Sequence, residues 1–179
     1  MKTTHITDIS STNVNIALKA IKVFEANSDE TQCYQANVYV DNKPFYIVSN
    51  SGNGGCDNVY QHPKCKLTRT EWRAKDDEIK KALSTIRTAP TEYFTDGMEL
   101  DLELLCHEYV TDFLLRRDFK RRLATKKTLI IEKGIMYALR NKWSNTASFI
   151  NGVKAHYKGC TILNELSFEE AFVLYVNHG

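Results

Sequence analysis

Three short apolar segments open the chain, each with alternating or β-favouring side chains. "IALKAIKVF" at 16–24 places Ile21 and Val23 in alternation, and the polar "EANSDET" follows it, so a strand leading into a turn is predicted. "QCYQANVYV" carries Cys33, Tyr34, Val38, Tyr39 and Val40, residues that suit a pleated, half-buried strand. "DNK" at 41–43 reads as a turn because Asp and Asn tolerate left-handed backbone angles, and "PFYIVSN" is a third strand. Together they predict an antiparallel meander. The pattern then changes to a helical period. Trp72, Ile79, Leu83 and Ile86 recur at spacings of seven, four and three, with Thr70 read as the cap, Glu71 in the first turn and Pro90 as the stop. A longer helix is predicted to begin near Met98, with Leu102, Leu105, Cys106, Tyr109, Val110, Phe113 and Leu114 as its buried stripe. The remainder reads as strand, turn, strand, helix, strand, helix. It turns at Glu132-Lys133-Gly134, has Asn145 or Thr146 capping a short helix, takes "CTILNEL" as a short strand, and closes on a capping box formed by Ser167 and Glu170. The predicted class is α+β: an antiparallel sheet with helices packed mainly to one side, in a single domain over residues 1–179, with 1–14 as a loosely attached arm.

Composition narrows the class. With 42% hydrophobic and 26% charged residues over 179 positions, the chain is long and apolar enough for a real core and is not disordered. The polar start "MKTTHITDISSTNVN" lacks the apolar stretch of an export signal, and no apolar run reaches the length of a membrane span, so a cytoplasmic location with no membrane partner is expected. A net charge of +2 does not argue for nucleic acid, which is admitted as a partner but not favoured. Five scattered cysteines (33, 56, 65, 106 and 160) without an export signal read as free thiols. Cys56, His62 and Cys65 fall short of zinc-ligand spacing, because the tight cysteine pair and a fourth ligand are missing. No metal and no cofactor are expected.

Four features are candidates for chemistry. The first is "SNSGNGG", the densest use of glycine in the chain, which leaves the third strand. Successive backbone N–H groups in such a turn can face an anion, although the sequence fits neither a Walker A loop nor a dinucleotide fingerprint. The competing reading is a tight connection with close backbone packing. The second is a basic run in which Arg116, Arg117, Lys120, Arg121, Arg122, Lys126 and Lys127 hold seven of the 24 basic residues. Arg117, Lys120 and Arg121 share a helical face, where they either meet a phosphate or simply complement the helix dipole. The third is the histidines. His107 follows Cys106 directly, so their side chains diverge and make a poor dyad, whereas His62 with Asp57 is the weak catalytic alternative for a hydrolase or nuclease working from the 52–62 loop. His156 and His178 read as surface residues. The fourth is the aromatic set Tyr34, Tyr39, Phe45 and Tyr46, which either stacks a base or packs under the helices.

The stretch "NVYVDNKPFYIVSNSGNGGCDNVYQHP" resembles a segment of small, uncharacterised proteins encoded by tailed bacteriophages and prophages: a strand, a VDGK turn, a strand ending in VSN, then a GxGG loop. Val40, Asp41, Asn42 and Lys43 match the turn with Asn for Gly. Val48, Ser49, Asn50, Gly52, Gly54 and Gly55 match the rest, and Asn53 stands where histidine is frequent. The C-terminal "TILNELSFEEAFVLYV" is similar to the end of those proteins. The resemblance implies a phage accessory factor that counters host defence. Combined with the loop, it leads to an expected binding protein without turnover, holding a phosphate-bearing ligand such as a nucleotide signal through Asn50, Gly52, Asn53, Gly54 and Gly55, with Arg117 and Arg121 neutralising charge. The alternative partner is a host defence enzyme, inhibited by direct binding.

Overall fold

The computed structural model describes residues 14–88, 90 and 92–179. The arm predicted over 1–14 lies outside the described residues except for Val14, which is buried. The chain is α+β and divides into two compact units, one ending at Thr111 and one running from Asp112.

In the first unit, β1 (Ile16–Val23), β2 (Tyr34–Val40), β3 (Lys43–Asn50) and β4 (Asn58–Gln61) form one antiparallel sheet in sequential order. The β2–β3 turn places Asp41 and Asn42 at φ +49° and +63°, the paired left-handed angles that match a tight turn to the twist of its strands. Alternation then sorts the side chains. Tyr34, Ala36 and Val38 lie directly across from Asn50, Val48 and Tyr46, and all six are buried. The other face, with Gln35, Asn37, Tyr39, Ile47 and Ser49, is open or half-open. Within this unit the described helices pack on the buried face, a common arrangement of an antiparallel sheet. Helix α1 (Arg69–Ser84) brings Asp76, Ile79 and Leu83, and the start of α2 (Leu102–Ala124) brings Leu102, Leu105, Cys106 and Val110. Phe45 stacks on Trp72 at 5.7 Å, and the Tyr109 hydroxyl donates to the Ile16 carbonyl at 3.0 Å.

Three local expectations are corrected. The cap of α1 is Thr68 and not Thr70, because a capping box needs its acid three residues on, and Glu71 Oε2 accepts from Thr68 N at 2.8 Å. Helix α2 starts at Leu102, four residues later than predicted from Met98, with Asp101 Oδ1 accepting from Leu104 N at 2.7 Å. Residues 58–61, read from sequence as loop, are strand β4, because the unpaired edge of β3 supplies the hydrogen bonds that their polar sequence does not advertise.

In the second unit, β5 (Lys127–Glu132) lies between β6 (Ile135–Lys142) and the two-residue β7 (Thr161–Ile162), all antiparallel. The predicted turn holds, with Lys133 at φ +51° and Gly134 at φ +78°. Strand β5 is buried on both faces, which accounts for its unbroken apolar run. Leu129 and Ile131 join Phe119, Leu163, Phe172 and Tyr175, while Ile130 packs with Val153 and Ile162. Thr146 caps α3 (Ala147–His156), and Ser167 with Glu170 forms the predicted box on α4 (Phe168–His178). "CTILNEL" gives only the short β7 before a 3-10 turn at Leu163–Glu165.

Candidate functional site

Asn50 ends β3 and organises the glycine loop. It is 7% exposed and uses its whole amide. Its Oδ1 accepts from the Thr31 hydroxyl and from Gly52 N, each at 2.8 Å, and its Nδ2 donates to the Gly55 carbonyl at 2.9 Å and to Asp57 Oδ1 at 3.0 Å. Gly52 in turn accepts three backbone N–H bonds, from Asp29, Glu30 and Thr31, at 3.0–3.2 Å. The Gly54 N–H is directed to the Thr31 hydroxyl at 3.3 Å. The donors that the sequence assigned to an anion at Gly52 and Gly54 are thus engaged within the chain. The Glu30 carboxylate also lies over Gly54, so close that a Cβ there would stand 2.1 Å from Oε2. Asn53 and Gly55 are exposed.

Below the loop, the Tyr34 hydroxyl donates to Asp57 Oδ2. Burial and then that carboxylate push the Tyr34 phenol well above its ordinary range. Cys106, fully buried beside it, is pushed up by burial first and the Asp57 charge second, which keeps it a neutral thiol and a poor nucleophile. Tyr46 repeats the motif: its hydroxyl donates to Asp76 Oδ1 at 2.6 Å, and Lys80 holds the other oxygen at 2.7 Å, with burial again the main cause of its raised pKa.

These three groups set an alkaline limit. Their folded pKa values lie above the unfolded ones, near 8.5 for Cys and 10 for Tyr. Their contribution is therefore complete below those values and is lost as pH rises toward the folded ones. Above about pH 10, stability is expected to fall by up to about 1.4 kcal/mol per pH unit for each group. Urea titrations between neutrality and high pH check this, and a Tyr34→Phe/Tyr46→Phe variant that kept the full slope would show that the tyrosines are not its source.

The loop borders a cleft of about 580 Å³ built wholly from the first unit. Among the described residues, six carboxylates line it, from Asp29, Glu30, Asp57, Glu99, Asp101 and Glu103, together with His107 and the apolar Met98, Leu104 and Val110, and no Lys or Arg does. Several of these acids are structural as well. Asp101 caps α2, Glu103 Oε1 accepts from Asp57 N at 3.2 Å, and Glu99 lies 3.6 Å from Arg87. Sequence reasoning missed this cleft. Its acids come from three separate segments, and only the packing of α2 beside the 28–31 turn assembles them.

The remaining candidates fall elsewhere. His62 and Asp57 stand at opposite ends of β4, and an extended strand of that length separates them by about 16 Å. His62 is buried, with its N–H donating to the Phe45 carbonyl at 2.9 Å and its Nδ1 accepting from Lys64 N at 3.0 Å, so the hydrolytic pair drawn from the sequence is not brought together. Arg117 and Arg121 belong to the second unit, where Arg117 is half-buried over the Phe113 ring and Arg121 is exposed in the last turn of α2. Tyr34, Phe45 and Tyr46 are buried under the helices, and Tyr39 is half-buried with Lys19 over its ring. All five cysteines are free thiols. No cluster of three or more His, Cys, Asp or Glu side chains among the described residues is arranged to hold a metal ion, and no helix among them is long and apolar enough to cross a membrane.

The fold and this cleft define an α+β protein with an acidic, partly apolar recess at one end of its first sheet. Compared with protein-family models, curated proteins and solved structures, the chain matches none.

Proposed function

We propose that the chain is a stoichiometric binding protein whose acidic cleft receives a Lys- or Arg-bearing segment of a partner protein. The observation that carries this reading is the lining itself: among the described residues, six carboxylates and no basic side chain except His107, around a recess of about 580 Å³. Clustered like charges in a concave site focus the field and draw the opposite charge, whereas a phosphate at the glycine loop would enter the same field against repulsion. Action without turnover is supported by the separation of His62 from Asp57 and by the buried, neutral Cys106 thiol. In the phage setting that the resemblance implies, such a protein acts as an inhibitor of a host defence enzyme, and that setting is part of the proposal.

The test is affinity capture from bacterial lysate with the intact chain beside an Asp29→Asn/Glu30→Gln/Asp101→Asn variant. The amide introduced by Asp101→Asn keeps a side-chain oxygen to cap α2. A partner bound through the cleft is expected to be weakened at least about tenfold by the loss of three charges and released by high salt. A partner held equally by both proteins would count against the cleft as its docking site.

A further inference from the structure

A second recess lies at the opposite end of β3, also within the first unit, between the Asp41–Asn42 turn and residues 62–67. It has a volume of about 650 Å³ and is lined by Lys43, Lys64, Lys66 and Lys75, with Phe45 and Leu67 among its apolar members. The two acids among its described lining residues are already engaged. Asp41 Oδ1 accepts from Asn15 N at 3.1 Å, and Glu71 Oε2 accepts from Thr68 N at 2.8 Å and from the Thr68 hydroxyl at 2.7 Å. Lys75 pairs with Glu78 at 2.8 Å. The ammonium groups of Lys43, Lys64 and Lys66 make no ion pair or hydrogen bond with the described residues. The lysine-bearing wall is fixed before any ligand arrives: Cys65 N donates to the His62 carbonyl at 2.8 Å, Lys64 N to His62 Nδ1 at 3.0 Å, and Gln61 Nε2 to the Leu67 carbonyl at 3.1 Å. Such preorganisation lowers the ordering cost of binding.

We infer that this recess binds a phosphorylated small molecule with an organic portion, of the nucleoside phosphate class. Lysines act as compact point charges that suit phosphate groups, and three that make no ion pair or hydrogen bond with the described residues match a multiply charged anion. The volume falls in the range of small-ligand pockets, and the apolar members offer a surface to a flat organic group. An extended nucleic acid is favoured less, because the net charge of the chain is only +2 and the other end of the same sheet is acidic. The inference is independent of the partner proposed for the acidic cleft.

Adenosine triphosphate, inorganic pyrophosphate and adenosine serve as probes in calorimetric titration of the full chain, with iodoacetamide labelling of Cys65, which lines the recess, read by peptide mass spectrometry. The triphosphate is expected to bind more tightly than pyrophosphate, adenosine to bind least, and the triphosphate to slow labelling of Cys65 relative to Cys56. Lys64→Gln/Lys66→Gln, at two exposed positions, is expected to weaken triphosphate binding at least about tenfold. The Asp29→Asn/Glu30→Gln/Asp101→Asn variant is expected to leave it unchanged. Absence of triphosphate binding at about 1 mM, the weak end of specific association, would overturn the inference. So would binding that survives loss of both lysines, or a single-stranded oligonucleotide that binds more tightly than the triphosphate.

Discussion

Replacing Gly52 with Ala is expected to lower stability by about 4 kcal/mol, the sum of a left-handed backbone forced on a side chain and an overpacked contact. Gly52 has φ +90°, and a Cβ built on it would stand 2.0 Å from the Asn27 carbonyl oxygen and 2.9 Å from Cys33 Cβ. The nearer obstacle is backbone, so it cannot swing aside. Moving Gly52 would also disturb the three N–H bonds that its carbonyl accepts from residues 29–31, and with them the wall that carries Asp29 and Glu30 into the cleft. Two neighbours provide the comparison. At Gly54, φ is +78° but the obstruction is the Glu30 side chain, which can rotate away, so Gly54→Ala is expected to cost about 1 kcal/mol. At Gly55 nothing lies within 4 Å of the place a Cβ would take, and Gly55→Ala is expected to fall within about 0.5 kcal/mol of the parent. Urea denaturation of the three variants reads this order directly, and a Gly52→Ala cost no larger than that of Gly55→Ala would refute the steric account.

Phe119→Ala is expected to cost about 4 kcal/mol, the usual range for removing a buried ring and leaving a cavity. Phe119 is fully buried among aromatic neighbours, with ring centroids 4.8 Å from Tyr175, 5.4 Å from Phe168 and 6.0 Å from Phe172. It also packs in the cluster that contains Leu129 and Ile131 from the central strand β5, so its loss opens the meeting point of a sheet and two helices. Phe119→Leu fills most of the space and is expected to cost less than about 1.5 kcal/mol. Thermal and urea unfolding of both variants measure the difference, and a near-equal pair would place the energetic centre of the second unit elsewhere.

Local chemistry made much of the fold legible. The first three strands, the Asp41–Asn42 turn, the Lys133–Gly134 turn and the Ser167–Glu170 box all depend on alternation, left-handed tolerance or a capping side chain within a few residues. The failures have a common origin. Strand β4 is polar and short, and it pairs because β3 offers it an edge. The buried stripe read on α2 stops at Leu114 and misses Phe119, because the apolar positions shift phase after Leu114, to Leu115, Phe119 and Leu123, a few residues past the point where the helix enters the second unit.

The candidate site divides in the same way. The sequence by itself determined that a special backbone loop follows the third strand, and Gly52 and Gly54 are at positive φ there. It did not determine the charge around that loop. That depends on Asp29 and Glu30 from one segment, Asp57 from another, and Glu99, Asp101 and Glu103 from a third, whose separation in space is independent of their separation along the chain. Nor did it separate the lysines at one end of β3 from the carboxylates at the other, since the 24 basic and 22 acidic residues of the chain nearly cancel in the overall charge of +2. Backbone preference is a local property and is written in neighbouring residues. An electrostatic field is a sum over distances, and only the tertiary structure supplies those.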